Sequence, residues 1–264
     1  MTATTDLATL QARRLPRLGG FSRTLVTLEL RRLVRNRRTV IFTVIMPVVF
    51  FLLFGLNDAY ADEPAGRGNV AASIMISMAV YGAMIATTSV GASVSIERSL
   101  GWSRQLRLTP LNPAAYVAAK LVVALLAGGV AILAVYAAGI ATHRAHAPVS
   151  AWVGAALIGW VGSLTFAAFG LFMGYLLPSE NVMQILGPVL ALLAILGGLW
   201  FPLDDASLMG RIAQFTPMYG LSGLVHLPLS GDPFRVTWLI NVVTWLALFA
   251  SGAVWRLRKD TARV

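Results

Sequence analysis

The chain has 264 residues, of which 57% are hydrophobic and only 12% charged; it carries a net charge of +10 and no cysteine. Soluble domains hold about 25% charged residues, so a soluble globular fold is excluded, as are disulfides and thiolate metal sites. Nine of the 21 Lys+Arg precede residue 39 and four more lie from Arg256 to Arg263, a flanking placement that points to membrane orientation and away from nucleic-acid binding.

Residues 1–19 are polar and basic and read as disordered. From Phe21 to Arg38 two apolar sets recur at helical spacing, Phe21, Leu25, Leu28 and Val26, Leu30, Leu33. They alternate with Arg23, Arg31, Arg32, Arg35, Arg37 and Arg38, which predicts an amphipathic helix lying in a headgroup layer, in preference to a solvated basic tail. A first span is predicted over Thr39–Leu56 with a kink at Pro47. Ala59-Tyr60-Ala61 resembles a signal-peptidase site, but 38 residues precede the apolar run and the run is too long for a signal core, so retention is expected. The loop Asn57–Asn69 holds Asp58, Asp62 and Glu63 against one Arg67 and should face outward.

A second span covers Val70–Ile96 and leads into E-R-S-L-G-W-S-R-Q-L-R-L-T-P-L-N-P, Glu97–Pro113. This is the main charged interruption between two apolar blocks. It reads as a short surface helix closed by Pro110 and Pro113, because proline disfavours helix in the residue before it. The third span is Ala114–Ile140, with Lys120 expected to snorkel back to the interface. A short loop, Thr142–Ser150, separates it from the fourth span, Ala151–Leu177. The fifth runs from Val182 to Phe201 through Pro188 and the sixth from Val236 to Trp255. Between those two, Pro202–Arg235 is too broken by proline and glycine to span, yet apolar enough to dip into the membrane.

Six spans place both termini on one side. With the termini inside, inner segments hold 17 Lys+Arg and outer loops hold four, Arg67, Arg144, Arg211 and Arg235. The positive-inside rule therefore predicts cytoplasmic termini and a cytoplasmic Glu97–Pro113.

Enzyme chemistry finds little support. His143 and His146 form an H-x-x-H pair in an outer loop without carboxylate or cysteine help, and no H-E-x-x-H occurs. Gly220-Leu221-Ser222-Gly223 matches the serine motif of rhomboid-like intramembrane proteases, but the sixth span supplies no histidine base and His226 is only four residues away. A phosphate-binding loop needs G-x-x-x-x-G-K-[ST], and neither Lys120 nor Lys259 stands in that setting. Work derived from ATP must come from another polypeptide.

Within the spans, Ala151, Ala155, Gly159, Ser163 and Ala167 recur every four residues, with Gly170 and Gly174 nearby, a spacing that lets helices approach closely. Ser73, Ser77, Tyr81, Met84 and Thr88 share one face of the second span, and Asn181 and Gln184 lie near the inner end of the fifth. Lining of a pathway competes here with ordinary hydrogen bonding between helices. No Asp or Glu falls well inside a predicted span, which gives proton or sodium coupling little support.

Glu97-Arg98, Gly101, Leu106 and Thr109-Pro110 resemble the E-R-x-x-G-(x)4-L-x-x-T-P cytoplasmic loop of type-2 permeases of ABC exporters. Gly197-Gly198-Leu199-Trp200-Phe201-Pro202-Leu203, followed by Phe215-Thr216-Pro217-Met218, is similar to that family's fifth span and the short outer helices after it. The resemblance covers nearly the whole chain and includes bacterial drug-resistance permeases and polysaccharide and lipid exporters. Ser99 stands where glutamate is common, and Trp102-Ser103-Arg104-Gln105 is bulkier and more basic than usual.

The resemblance implies an all-α polytopic membrane protein. Residues 1–38 would form a basic cytoplasmic N-terminus with the interfacial helix, 39–256 one six-span permease domain, and 257–264 a basic cytoplasmic tail. It implies a coupling helix between spans 2 and 3, carried by Glu97, Arg98, Gly101, Trp102, Arg104, Gln105, Leu106, Arg107, Thr109 and Pro110. It also implies re-entrant outer helices between spans 5 and 6, with Phe201, Pro202, Phe215 and Pro217 at an outer gate. The chain itself would be non-catalytic and without cofactor. Two ATP-binding subunits would bind ATP and magnesium and dock on a pair of permeases, identical or related, in a bacterial-type plasma membrane. The substrate would be an amphipathic drug, a lipid or a glycan. An ion-coupled carrier and a non-transporting membrane anchor or assembly protein are the alternatives.

Overall fold

The structure is a computed structural model and describes residues 21–101, 113–201, 203–204 and 206–262. Helices dominate, and six are long and apolar enough to cross a membrane.

Helix α1, Arg23–Arg35, starts where the Ser22 side chain accepts from the Leu25 amide at 3.2 Å. Its Val26, Leu30 and Leu33 pack against a cluster built around Val123, Ala124 and Ala127, whereas Leu28 and Val34 are exposed. The N-terminal apolar stripe therefore has a protein partner. Asn36 caps the next helix through the Thr39 amide, and α2 follows as the first span, Arg37–Gly55. Ile41–Ile45 within it is a π-helical turn placed directly before Pro47. Pro47 has no N–H to offer the preceding turn, so the expected irregularity falls where the ring would otherwise clash.

Outside α2, a hairpin of β1, Pro64–Ala65, and β2, Gly68–Asn69, turns through Gly66 at φ 60. The Asn69 side chain then accepts from the Ala72 amide and starts α3, Val70–Ser99. This helix is the axis of the fold. Its most apolar window is 78% buried, against 22% for the first and last spans, and it packs on α2, on the third-span helix α4 (Pro113–Thr142), and on the helices of the fourth and fifth spans.

The fourth span is two helices, α5, Val149–Gly162, and α6, Leu164–Leu176. They part at Ser163, whose hydroxyl donates to the Trp160 carbonyl at 2.6 Å. The small-residue stripe is a packing surface, as its spacing suggested: Ala151, Ala155, Ser163 and Ala167 are all buried. A Cβ on Gly170 would meet the Thr88 backbone, and one on Gly91 would meet Ala167 and Leu171, so α3 and α6 touch through their backbones.

The fifth span, α7, Ser179–Leu196, ends five residues before the expected Phe201. Gly197 presses on Met218 and leaves no room for a Cβ, and Gly198 turns the chain at φ 73. Left-handed backbone at a glycine ends a helix. The connection to the last span contains α8, Leu208–Ala213, and α9, Pro217–Ser230. Helix α9 buries Met218, Leu221, Val225 and Leu229 against α3, α5, α7 and the final helix, α10, Val236–Ala262. Helix α10 runs unbroken past residue 257, where the basic tail was expected to begin.

Candidate functional site

The charged stretch after the second span splits in two. Glu97, Arg98, Ser99, Leu100 and Gly101 are described; Trp102, Arg104, Gln105, Leu106, Arg107, Thr109 and Pro110 lie outside the described residues. Helix α3 includes Glu97 and Arg98 and stops because Gly101 adopts φ 72, with its amide donating to the Arg98 carbonyl at 3.1 Å. Leu100, 69% exposed, is the apolar residue presented at this end.

One expectation for this end is corrected. Lys120 does not snorkel to the interface; its side chain is 1% exposed and turned inward two turns into α4. The Glu97 side chain is likewise only 3% exposed. The physical reason is shared: the two pair with each other. The Lys120 ammonium donates to Glu97 Oε1, to Glu29 Oε2 at 2.8 Å and to Ser93 Oγ at 3.3 Å. All three of its protons thus have acceptors. The Tyr116 hydroxyl donates to Glu97 Oε2, and Ser93 Oγ and Arg32 Nη1 each reach Glu97 Oε1 at 3.3 Å. Two carboxylates and two cations from α1, α3 and α4 balance one another where a lone charge would be expelled.

Arg98 turns to the other side of α3. Its Nη1 donates to the Tyr175 carbonyl at 3.0 Å and its guanidinium lies 5.6 Å from the Tyr175 ring centre. A cation thereby closes the C-terminus of α6, where carbonyls lack helical partners.

The polar face of the second span is packed within the chain. Ser77 is buried and lies 3.1 Å from His226 Nε2; Thr88 Oγ1 donates to the Phe166 carbonyl at 3.2 Å; Met84 is fully buried. Tyr81 stands edge-on to Trp200 at 5.3 Å, and Trp200 meets Phe50 at 5.5 Å. Ser73 offers its carbonyl to His226. Hydrogen bonding and packing between helices engage Ser77, Tyr81, Met84, Thr88 and the Ser73 carbonyl. Gln184 differs, being exposed together with Asn181 on α7.

The expected gate residues are dispersed in burial. Phe201 and Phe215 are 61% and 80% exposed, Pro217 is buried at the start of α9, and Pro202 lies outside the described residues. The serine-protease motif is inert: Ser222 Oγ donates to the Gly198 carbonyl at 3.1 Å, and His226 Nδ1 meets the Ser222 carbonyl, not its hydroxyl. Burial holds the His226 imidazole below its ordinary pKa, partly opposed by its contacts to the Ser222 and Ser73 carbonyls. Among the described residues no group of His, Asp and Glu could hold a metal.

A contact that hydropathy could not reveal joins the two loops expected to face outward. Arg144, after the third span, donates to Asp58 and, at 2.8 Å, to Asp62 in the loop after the first span. Asn69 donates to the Arg144 carbonyl at 2.7 Å and accepts from the His146 amide at 2.9 Å. The Arg67 amide donates to the Leu229 carbonyl at the end of α9 at 2.7 Å. The opposite charges of these loops were visible in sequence, but nothing local paired them.

Residues 22–227 match the family described as ABC-2 type transporter. The chain is also 28% identical over 240 residues to the Bacillus subtilis (strain 168) protein described as "Putative transport permease YvfS", an alignment covering 89% of this chain and 96% of that one.

Proposed function

The chain belongs to the ABC-2 type transporter family and is a multi-pass transport subunit, and from that premise we propose that it is the membrane half of an ATP-driven exporter. Two separate ATP-binding subunits supply ATP, magnesium and hydrolysis; a second permease, identical or related, completes the pathway. The membrane is a bacterial-type plasma membrane with both termini in the cytoplasm, in keeping with the 17 to 4 distribution of basic residues. The cargo is an amphipathic drug, a lipid or a glycan.

The observation that carries this reading is the course of α3. The most buried of the candidate spans runs without interruption from Val70, beside the hairpin, to Ser99, and both helices that border residues 102–112 are pinned at their ends by buried charges. A push on that stretch would tilt α3 and α4 as rigid bodies, since packed cores shift between discrete arrangements and do not deform smoothly. Direct contact with the ATP-binding subunits falls to Leu100, Gly101, Trp102, Arg104, Gln105, Leu106, Arg107, Thr109 and Pro110. Glu97 and Arg98 act from behind by fixing the helix end. On the outer side, α8 and α9, with Phe201, Pro202, Phe215 and Pro217 around them, serve as the gate. The exposed polar side chains of α7, Asn181 and Gln184, suit a surface facing the second permease or the pathway better than one facing lipid, where unpaired amides are costly.

Affinity purification from mild detergent tests the partnership. A polypeptide carrying G-x-x-x-x-G-K-[ST] should copurify and hydrolyse ATP. Recovery of a stable lone chain that transports under a proton gradient would replace this reading with an ion-coupled carrier.

A further inference from the structure

Glu29, Lys120 and Glu97 lie 91 and 23 residues apart along the chain, yet they meet in one buried cluster joining α1 to α3 and α4. Lys120 and Glu97 have side chains 1% and 3% exposed and Glu29 only 13%. Simple attachment of α1 would need no buried charge, because Val26, Leu30 and Leu33 already pack against the Val123–Ala127 region. Replacing such ionic clusters with apolar side chains is often neutral or stabilising, so burying three charged groups makes sense where one arrangement must be selected over another. The cluster also sits where selection matters, since Glu97 is four residues before Gly101 and Lys120 is two turns after Pro113.

We propose that Glu29, Lys120 and Glu97 form a charge lock that fixes α1 to both helices bordering residues 102–112, so that α1, α3 and α4 move as one body at this end. Lys120 is the shared member: it alone bonds to both carboxylates, and without it Glu29 and Glu97 would repel at close range. Arg32 and Tyr116 steady the Glu97 carboxylate and are positioning residues for it. The N-terminal helix then forms part of the path through which ATP-driven movement reaches the spans, a consequence that rests on the proposed function.

The natural absence of cysteine allows a direct test. With Val26→Cys as the only thiol, maleimide labelling in membrane vesicles should be slow in the parent and in Lys120→Arg, which keeps the charge. It should rise about tenfold or more in Glu29→Gln and Lys120→Met, as the loss of a charge-assisted hydrogen bond predicts. Glu29→Gln removes only the α1 arm, leaves the Lys120–Glu97 pair in place and so keeps the test valid if Lys120→Met fails to insert. Unchanged labelling in Glu29→Gln would overturn the lock. In the complex with its ATP-binding subunit, Glu29→Gln should lower ATP hydrolysis at least about fivefold while Lys120→Arg keeps it, on the same energetic scale. An undocked α1 with unchanged hydrolysis would reduce the cluster to a brace and overturn its place in the force path. If no ATP-hydrolysing subunit copurifies with the parent chain, the proposed function fails, and labelling alone then decides whether the lock exists.

Discussion

The two ends of α3 are held by opposite means. At the inner end a lysine and a glutamate with almost no exposed surface bind each other and a second glutamate. At the outer end the ion pairs of Arg144 are open to solvent, with Arg144 36%, Asp62 62% and Asp58 85% exposed, and the firm contacts are neutral hydrogen bonds from Asn69 and His226. The number of ion pairs is similar and their consequence is not. Removing one partner of a buried pair strands a charge, whereas an exposed pair is screened by water and salt. The Glu97 end therefore behaves as a unit that is either intact or broken, while the Asn69 end can yield in small steps.

The difference predicts a graded series. Lys120→Met, which strips Glu29 of its buried cation and leaves Glu97 only the half-exposed Arg32, should cost about 3–5 kcal/mol in a detergent-micelle denaturation titration. A loss below about 1 kcal/mol would mean water reaches the cluster and the contrast between the ends collapses. Asn69→Ala should come next, at about 2 kcal/mol, because it removes the cap of α3 and strands the Arg144 carbonyl and the His146 amide. His226 adds a pH dependence confined to the outer end. Its pKa in the fold lies below the ordinary value of about 6.5, so the unfolded chain takes up the proton first as pH falls. Thermal stability should thus be full above that value and decline as pH drops below it, and His226→Gln should flatten the decline; a decline unchanged in that variant would assign the titration elsewhere. Smallest is Arg144→Ala, about 0.2–1 kcal/mol and weaker at high salt.

The sequence made the longitudinal plan legible and the lateral plan much less so. Hydropathy located the helices beginning at Val70 and Val236, proline marked the irregular turn before Pro47, and four-residue spacing of small side chains marked the α5–α6 packing surface, because each signal lies within one segment. Gly170, noted beside that stripe, meets the Thr88 backbone. Lys120 read as a snorkelling residue because its partners are 91 and 23 positions away, and one-dimensional periodicity carries no such pairing. The polar stripe from Ser73 to Thr88 was ambiguous in sequence for a related reason: a polar face seeks a polar partner, and sequence spacing does not say whether that partner is water or the next helix; in the fold Ser77 meets His226 and Thr88 meets the Phe166 carbonyl. The early end of α7 was written in Gly197-Gly198, but the apolar Leu199-Trp200-Phe201 that follows extends the hydropathy past the turn.

The central claim is that force from an ATP-binding subunit enters beside the locked inner end of α3. Photocrosslinking from single positions tests it most directly, with benzoylphenylalanine placed at the exposed Leu100 or, for comparison, at the exposed Phe215 in the outer connection. Leu100 should crosslink to the ATP-binding subunit and Phe215 should not. A crosslink from Phe215 with none from Leu100 would place the drive at the wrong end of the molecule and contradict the account.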